Sequence, residues 1–175
     1  MTGPDSGRGK EMRRLVILAS ALALLAQPVL ALSCMRPDAV SMYQRAAESE
    51  ARYVVVLGAF LRDGPDQPLL SEPEAEGMGI PYVYDALFYG DIGSRVGFHT
   101  PAELEVTVAV DCLGPWCGTP PADGQEVLAF LQVDENGEYF LMVEACPTWV
   151  MTAPDPEVMD RIAACMRGEP CEPDE

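Results

Sequence analysis

The chain has 175 residues, enough for one domain of ordinary size, and its 49% hydrophobic content is that of a folded protein rather than a disordered one. It carries 11 Lys and Arg against 28 Asp and Glu, a net charge of −17. Residues 32–175 alone hold seven arginines and 26 acidic groups, a net charge of −19, which repels phosphate backbones and anionic headgroups and so excludes nucleic acid as a partner. Such dispersed acidity also keeps a small domain soluble.

The first segment reads as a secretory leader spanning residues 1–31. Met12-Arg13-Arg14 is a short cationic head, and Leu15 to Ala26 is an apolar run too short for a membrane span of about 20 residues. Gln27-Pro28 interrupts the run, and Val29-Leu30-Ala31 offers suitable side chains for cleavage after Ala31. Met12 is the better start for such a signal, which makes residues 1–11 an upstream extension. Cleavage after Ser33 would instead put Cys34 first, as in lipoproteins, although Ala31 stands where those signals usually carry a large aliphatic residue. The expectation is therefore an exported domain over 32–175, periplasmic or extracellular, with no membrane span in its mature form.

Within that domain Pro37 to about Glu48 reads as a first helix, with Val40, Tyr43, Ala47 and Ala51 at helical spacing. Tyr53 to Leu61 is a β-branched run, a buried strand in which Gly58 signals a bulge or sharp bend. Residues Arg62 to Pro81 contain four prolines and no period, so they read as a long surface loop. Tyr82 to Tyr89 reads as a strand, Gly90 to Ser94 as a turn, and Arg95 to His99 as a short strand. Leu104 to Asp111 alternates cleanly, with Leu104, Val106, Val108 and Val110 on one face. The Cys112–Gly124 segment is a loop rich in Gly and Pro. Glu126 to Val133 is a strand, Asp134-Glu135-Asn136-Gly137 a hairpin turn, and Glu138 to Cys146 its returning partner. Asp155-Pro156 caps a last helix over Glu157–Arg167, ended by Gly168. Five to six antiparallel strands with a helix at each end predict a mainly β fold, a small closed or partly open Greek-key barrel of the OB kind.

Six cysteines, Cys34, Cys112, Cys117, Cys146, Cys165 and Cys171, all lie in the mature part. An even number in an exported chain points to disulfides, with fifteen possible pairings. The short spacings suggest local bridges Cys112–Cys117 and Cys165–Cys171, leaving Cys34–Cys146 as a long-range staple. Structural zinc would want paired knuckles of reduced thiolates, and a redox pair would want Cys-x-x-Cys; neither spacing is present.

The order of these features resembles the netrin-like OB-fold domains, the fold of the tissue inhibitors of metalloproteinases. The resemblance is carried by Cys34 before the first helix, Val54-Val55-Val56-Leu57-Gly58, Cys117-Gly118, the stretch Gly124 to Leu131, and Tyr139 through Cys146. It spans nearly the whole mature chain through short motifs. It implies an OB barrel, and in the inhibitors a first-residue cysteine lays its α-amino group and carbonyl on the protease zinc. Only Cys34 matches that position here. The chain departs from the pattern by reading Cys34-Met35-Arg36 rather than Cys-x-Cys, and by keeping Leu32 and Ser33 in front after cleavage at Ala31.

No catalytic constellation is legible. His99 is the single histidine, no nucleophile elbow is near it, and no phosphate-binding or dinucleotide fingerprint follows a strand, so no cofactor is implied. Trp116 and Trp149, each near a proline, are the candidate binding residues, as an aromatic platform or as rings sealing the barrel ends. The expected role is a noncatalytic, disulfide-stabilised module for an unknown protein or small ligand. The alternatives are an inhibitor acting through Cys34 and an envelope lipoprotein anchored there.

Overall fold

The computed structural model describes residues 33–69 and 78–173. The leader read at residues 1–31 lies outside them, as do residues 70–77 of the long early loop. Helix α1 spans Ala39–Glu48, started by Asp38, whose carboxylate accepts from the Ser41 N–H at 2.7 Å. Strand β1 follows at Arg52–Arg62, then β2 at Gln67–Pro68, β3 at Tyr82–Ser94 and β4 at Gly97–Val110. A two-stranded ribbon, β5 Cys112–Leu113 and β6 Trp116–Cys117, precedes β7 Val127–Val133, β8 Tyr139–Val143 and β9 Val150–Thr152. Helix α2, Pro156–Arg167, begins on the Asp155 carboxylate and ends at Gly168, whose φ of 79° lets its N–H turn back to the Ala164 and Cys165 carbonyls.

The strands close on themselves in the order β1-β3-β4-β8-β7, with β7 returning to pair with β1. All neighbours are antiparallel except β4 and β8, which run parallel from Val106–Tyr139 to Val110–Val143. This is the OB-like Greek-key barrel of five strands, with extra strands β2 and β9 outside the closure and one helix on each side of it in sequence.

Alternation along the strands divides the apolar residues into two layers. Val56, Phe60, Phe88, Val106, Val108 and Leu141 are among those filling the barrel. Leu128 and Phe130 of β7 point the other way and meet Val40 and Met42 of α1 and Ile162 of α2. Residues 127–131 of β7 are therefore buried on both faces, which is why that stretch of sequence is apolar without a period of two.

Several expectations are corrected, among them that every strand pairing is antiparallel, since β4 and β8 run parallel. Gly90–Ser94 is not a turn: β3 runs through it, and the chain reverses at Arg95-Val96 instead. Correspondingly, Arg95–His99 is not a separate strand, because β4 is continuous from Gly97 to Val110. The glycine at 90 serves a close crossing. It pairs with Gly58 of β1, and a β-carbon at Gly90 would fall 2.7 Å from both the Gly58 Cα and the Phe88 ring. The two glycines let the strands cross under Phe88, which is fully buried over them. The Arg62–Pro81 stretch also contains structure, since β2 pairs with Tyr82 and Val83.

Candidate functional site

Three disulfides are closed: Cys34–Cys146, Cys112–Cys117 and Cys165–Cys171, with Cα separations of 5.3, 3.9 and 5.0 Å. They pin three different places. Cys34–Cys146 ties the start of the described chain to the segment between β8 and β9. Cys165–Cys171 folds the chain after α2 back on the helix, where the Gln44 side-chain amide donates to the Cys171 carbonyl at 2.6 Å. Cys112–Cys117 joins the opposing residues of the β5–β6 ribbon.

That ribbon is a two-residue hairpin, and Gly114 supplies the positive φ of 63° at its first turn position. Its base is anchored to the barrel: the Asp111 N–H donates to the Val143 carbonyl, and Gly118 N–H to the Asp111 carbonyl, both at 2.9 Å. Its side is buttressed by Gly79, whose N–H donates to the Gly114 carbonyl at 2.7 Å. A β-carbon at Gly79 would lie 2.9 Å from the Cys112 sulfur, so only glycine lets this segment lie against the disulfide. On this fixed support Leu113 and Trp116, opposite each other, are 60% and 42% exposed. Leu69, just after β2, and Met78, before β3, are also 59% and 45% exposed, with the Leu69 N–H held by the Pro81 carbonyl.

Trp149 is placed differently. Its ring stacks on Tyr53 at 4.7 Å and 17°, with the Arg45 guanidinium 5.9 Å from the ring centre. Its carbonyl accepts from the Phe130 N–H at 2.9 Å, which fixes the backbone against β7. Trp149 therefore packs into the helix-side layer, and it is Tyr53 that it stacks on rather than Trp116. A hollow of about 370 Å³ beside it is walled by Pro37, Pro120, Pro121 and Pro147, with Glu144 as its one charged residue.

His99 is exposed near the β3–β4 turn and lines a small depression with Phe98, Asp160 and Arg167. Arg62 lies 3.5 Å over the Tyr84 ring and pairs with Asp66. Burial raises the Tyr84 phenol above its ordinary value, and the guanidinium offsets part of that rise. No helix among the described residues is long and apolar enough to cross a membrane. The ribbon's support by Gly79 was not visible in sequence, because nothing local links residue 79 to residues 112–117. No protein-family model, curated protein or solved structure matches this chain.

Proposed function

We propose that the chain is an exported, noncatalytic binding module of the envelope or extracellular space, which engages a protein partner through the stapled ribbon. One observation carries the reading. Leu113 and Trp116 are exposed on a hairpin fixed by a disulfide, by a backbone bond from its base to β8 and by Gly79. A rigid exposed aromatic opposite an exposed leucine is the kind of anchor that protein interfaces use, since little entropy is lost on burial. Three disulfides in so small a domain fit an oxidising compartment.

The test places a photoreactive side chain at position 116 of the oxidised protein and exposes it to the exported fraction of the source cells. A discrete adduct at 116, lost when Leu113 is also changed to Ser, supports the reading. Labelling no stronger than at Glu48, on α1, would sink it.

The netrin-like resemblance belongs to this proposal, supported by the barrel with a helix before and after it and by the bridge that holds Cys34 at the surface. An inhibitor acting through Cys34 requires that residue to be first and its amine free. Intact mass of the exported protein decides: a chain starting at Leu32 removes that variant, a free Cys34 terminus restores it, and added acyl mass makes a lipoprotein.

A further inference from the structure

Strand β4 has two edges. One is paired with β3 along the whole strand, while the other meets β8 only from Val106 to Val110. From Thr100 to Glu105 the second edge has no strand beside it among the described residues, because the hairpin that leads into β8 turns away at Gly137-Glu138. Alternate residues there direct backbone N–H and C=O groups outward without a strand partner, and such an edge is a template for another strand. Pro101 has no N–H to offer, so the usable stretch is Ala102–Glu105.

The same edge borders a shallow hollow of about 630 Å³ that spreads over the outer face of β3 and β4 as far as the β7–β8 turn. Its rim carries Asp63, Asp85, Glu103, Glu105 and Glu138, and none of its lining residues is basic. The strand pleat explains the placement. Leu104 and Val106 pack towards the barrel core, so Glu103 and Glu105 face out, opposite Tyr89 and Leu87 of β3. The carboxylates are spread along the hollow, and no three acidic, His or Cys side chains among the described residues gather as a metal site would need. What complements them is a row of positive charges.

These two features decide the occupant together. Glutamates on an open edge repel a second copy of the same acidic edge, which is how edge strands avoid pairing with themselves. The charge that rejects a second copy attracts a basic strand. We propose that Ala102–Glu105 receives an extended, basic segment of another protein as an added strand, with backbone bonds to β4 and Lys or Arg side chains over Glu103, Glu105 and Glu138. This surface is separate from the Trp116 ribbon, and either can fail without the other.

The probe is a short end-capped peptide alternating lysine and valine, titrated into the oxidised mature chain while backbone amides are followed by NMR. The expected result is binding that slows amide exchange at alternate residues of 102–105 and weakens with salt. Glu103→Lys with Glu105→Lys lowers the affinity about tenfold or more, and the double Gln variant lowers it less. Near-ultraviolet dichroism checks that each variant is folded, and the Gln pair serves alone if the charge reversal is not. A peptide of equal charge with proline at alternate positions must bind much more weakly. Equal binding of that peptide would reduce the effect to general charge attraction and overturn the proposal. So would protection elsewhere, or no binding at all.

Discussion

Gly90 and Gly58 face each other where β1 and β3 cross, and the space a side chain would need at either is already filled by backbone and by Phe88. Gly90→Ala therefore cannot be relieved by a rotamer change; the strands must part, and the Phe88 packing with them. A loss of about 2 kcal/mol or more is expected in denaturant unfolding. An unchanged midpoint would mean that the crossing relaxes freely. The same residue shows why local reading misplaces a turn. Gly90, Gly93 and Ser94 together look like a chain reversal, and nothing within a few residues reveals that Gly90 answers a glycine more than thirty positions earlier.

Among the elements, the β7–β8 hairpin is organised by one carboxylate. The Asp134 side chain accepts from the Glu138 N–H at 2.8 Å, the Asn136 N–H at 2.9 Å and the Asn136 amide at 3.1 Å. These bonds, the Glu138 N–H foremost, hold the Asp134 carboxyl below its ordinary value. Since the folded value is depressed, the stabilisation is present above the unfolded pKa and is lost as pH falls through the folded one. Amide exchange at Asn136 and Glu138, corrected for intrinsic rates, should therefore accelerate as the solution is acidified past the usual aspartate range. Asp134→Asn should flatten that response. An identical acid profile in the variant would remove Asp134 from the explanation. The Arg52 guanidinium reaches the Asp134 carbonyl, not its carboxylate, and so leaves this titration to the loop itself.

For the whole molecule, what could be read in advance follows from range of interaction. The alternation from Leu104 to Val110, the Asn-Gly turn, the capped last helix and the barrel class are all short-range signals, and each has its counterpart in β4, the β7–β8 hairpin, α2 and the closed sheet. Strand β9 escaped because Val150-Met151-Thr152 is three residues long and acquires its meaning only by pairing with Val127–Ala129. The acidic hollow and the open edge of β4 escaped for the same reason, since they arise where a parallel pair ends. In the candidate site the sequence named Trp116 and Trp149 but left open whether either ring is exposed, because exposure of the one and the stacking of the other on Tyr53 depend on residues far apart in the chain. At this scale the Cys34–Cys146 bridge, closing 112 residues, contributes about 4–5 kcal/mol in the loop-entropy model. Cys34→Ser with Cys146→Ser should lower stability by that order, and more than the equivalent double change at Cys112 and Cys117, where the loop is short, predicts about 2 kcal/mol. Comparable losses in the two variants would show that strain or packing, rather than chain entropy, sets the effect.

The long bridge also has a mechanical meaning. Pulled from its two ends, the oxidised chain transmits tension from Cys34 straight across to Cys146, so most of the barrel lies outside the force path and cannot be drawn out. Between Cys34 and residue 173 only the stretch beyond Cys146, with β9 and α2, can lengthen, and the second clasp at Cys165–Cys171 shortens even that. Reducing agent would add the residues between Cys34 and Cys146 to the length that can be drawn out, so the redox state of the surroundings sets how far the molecule can stretch under load.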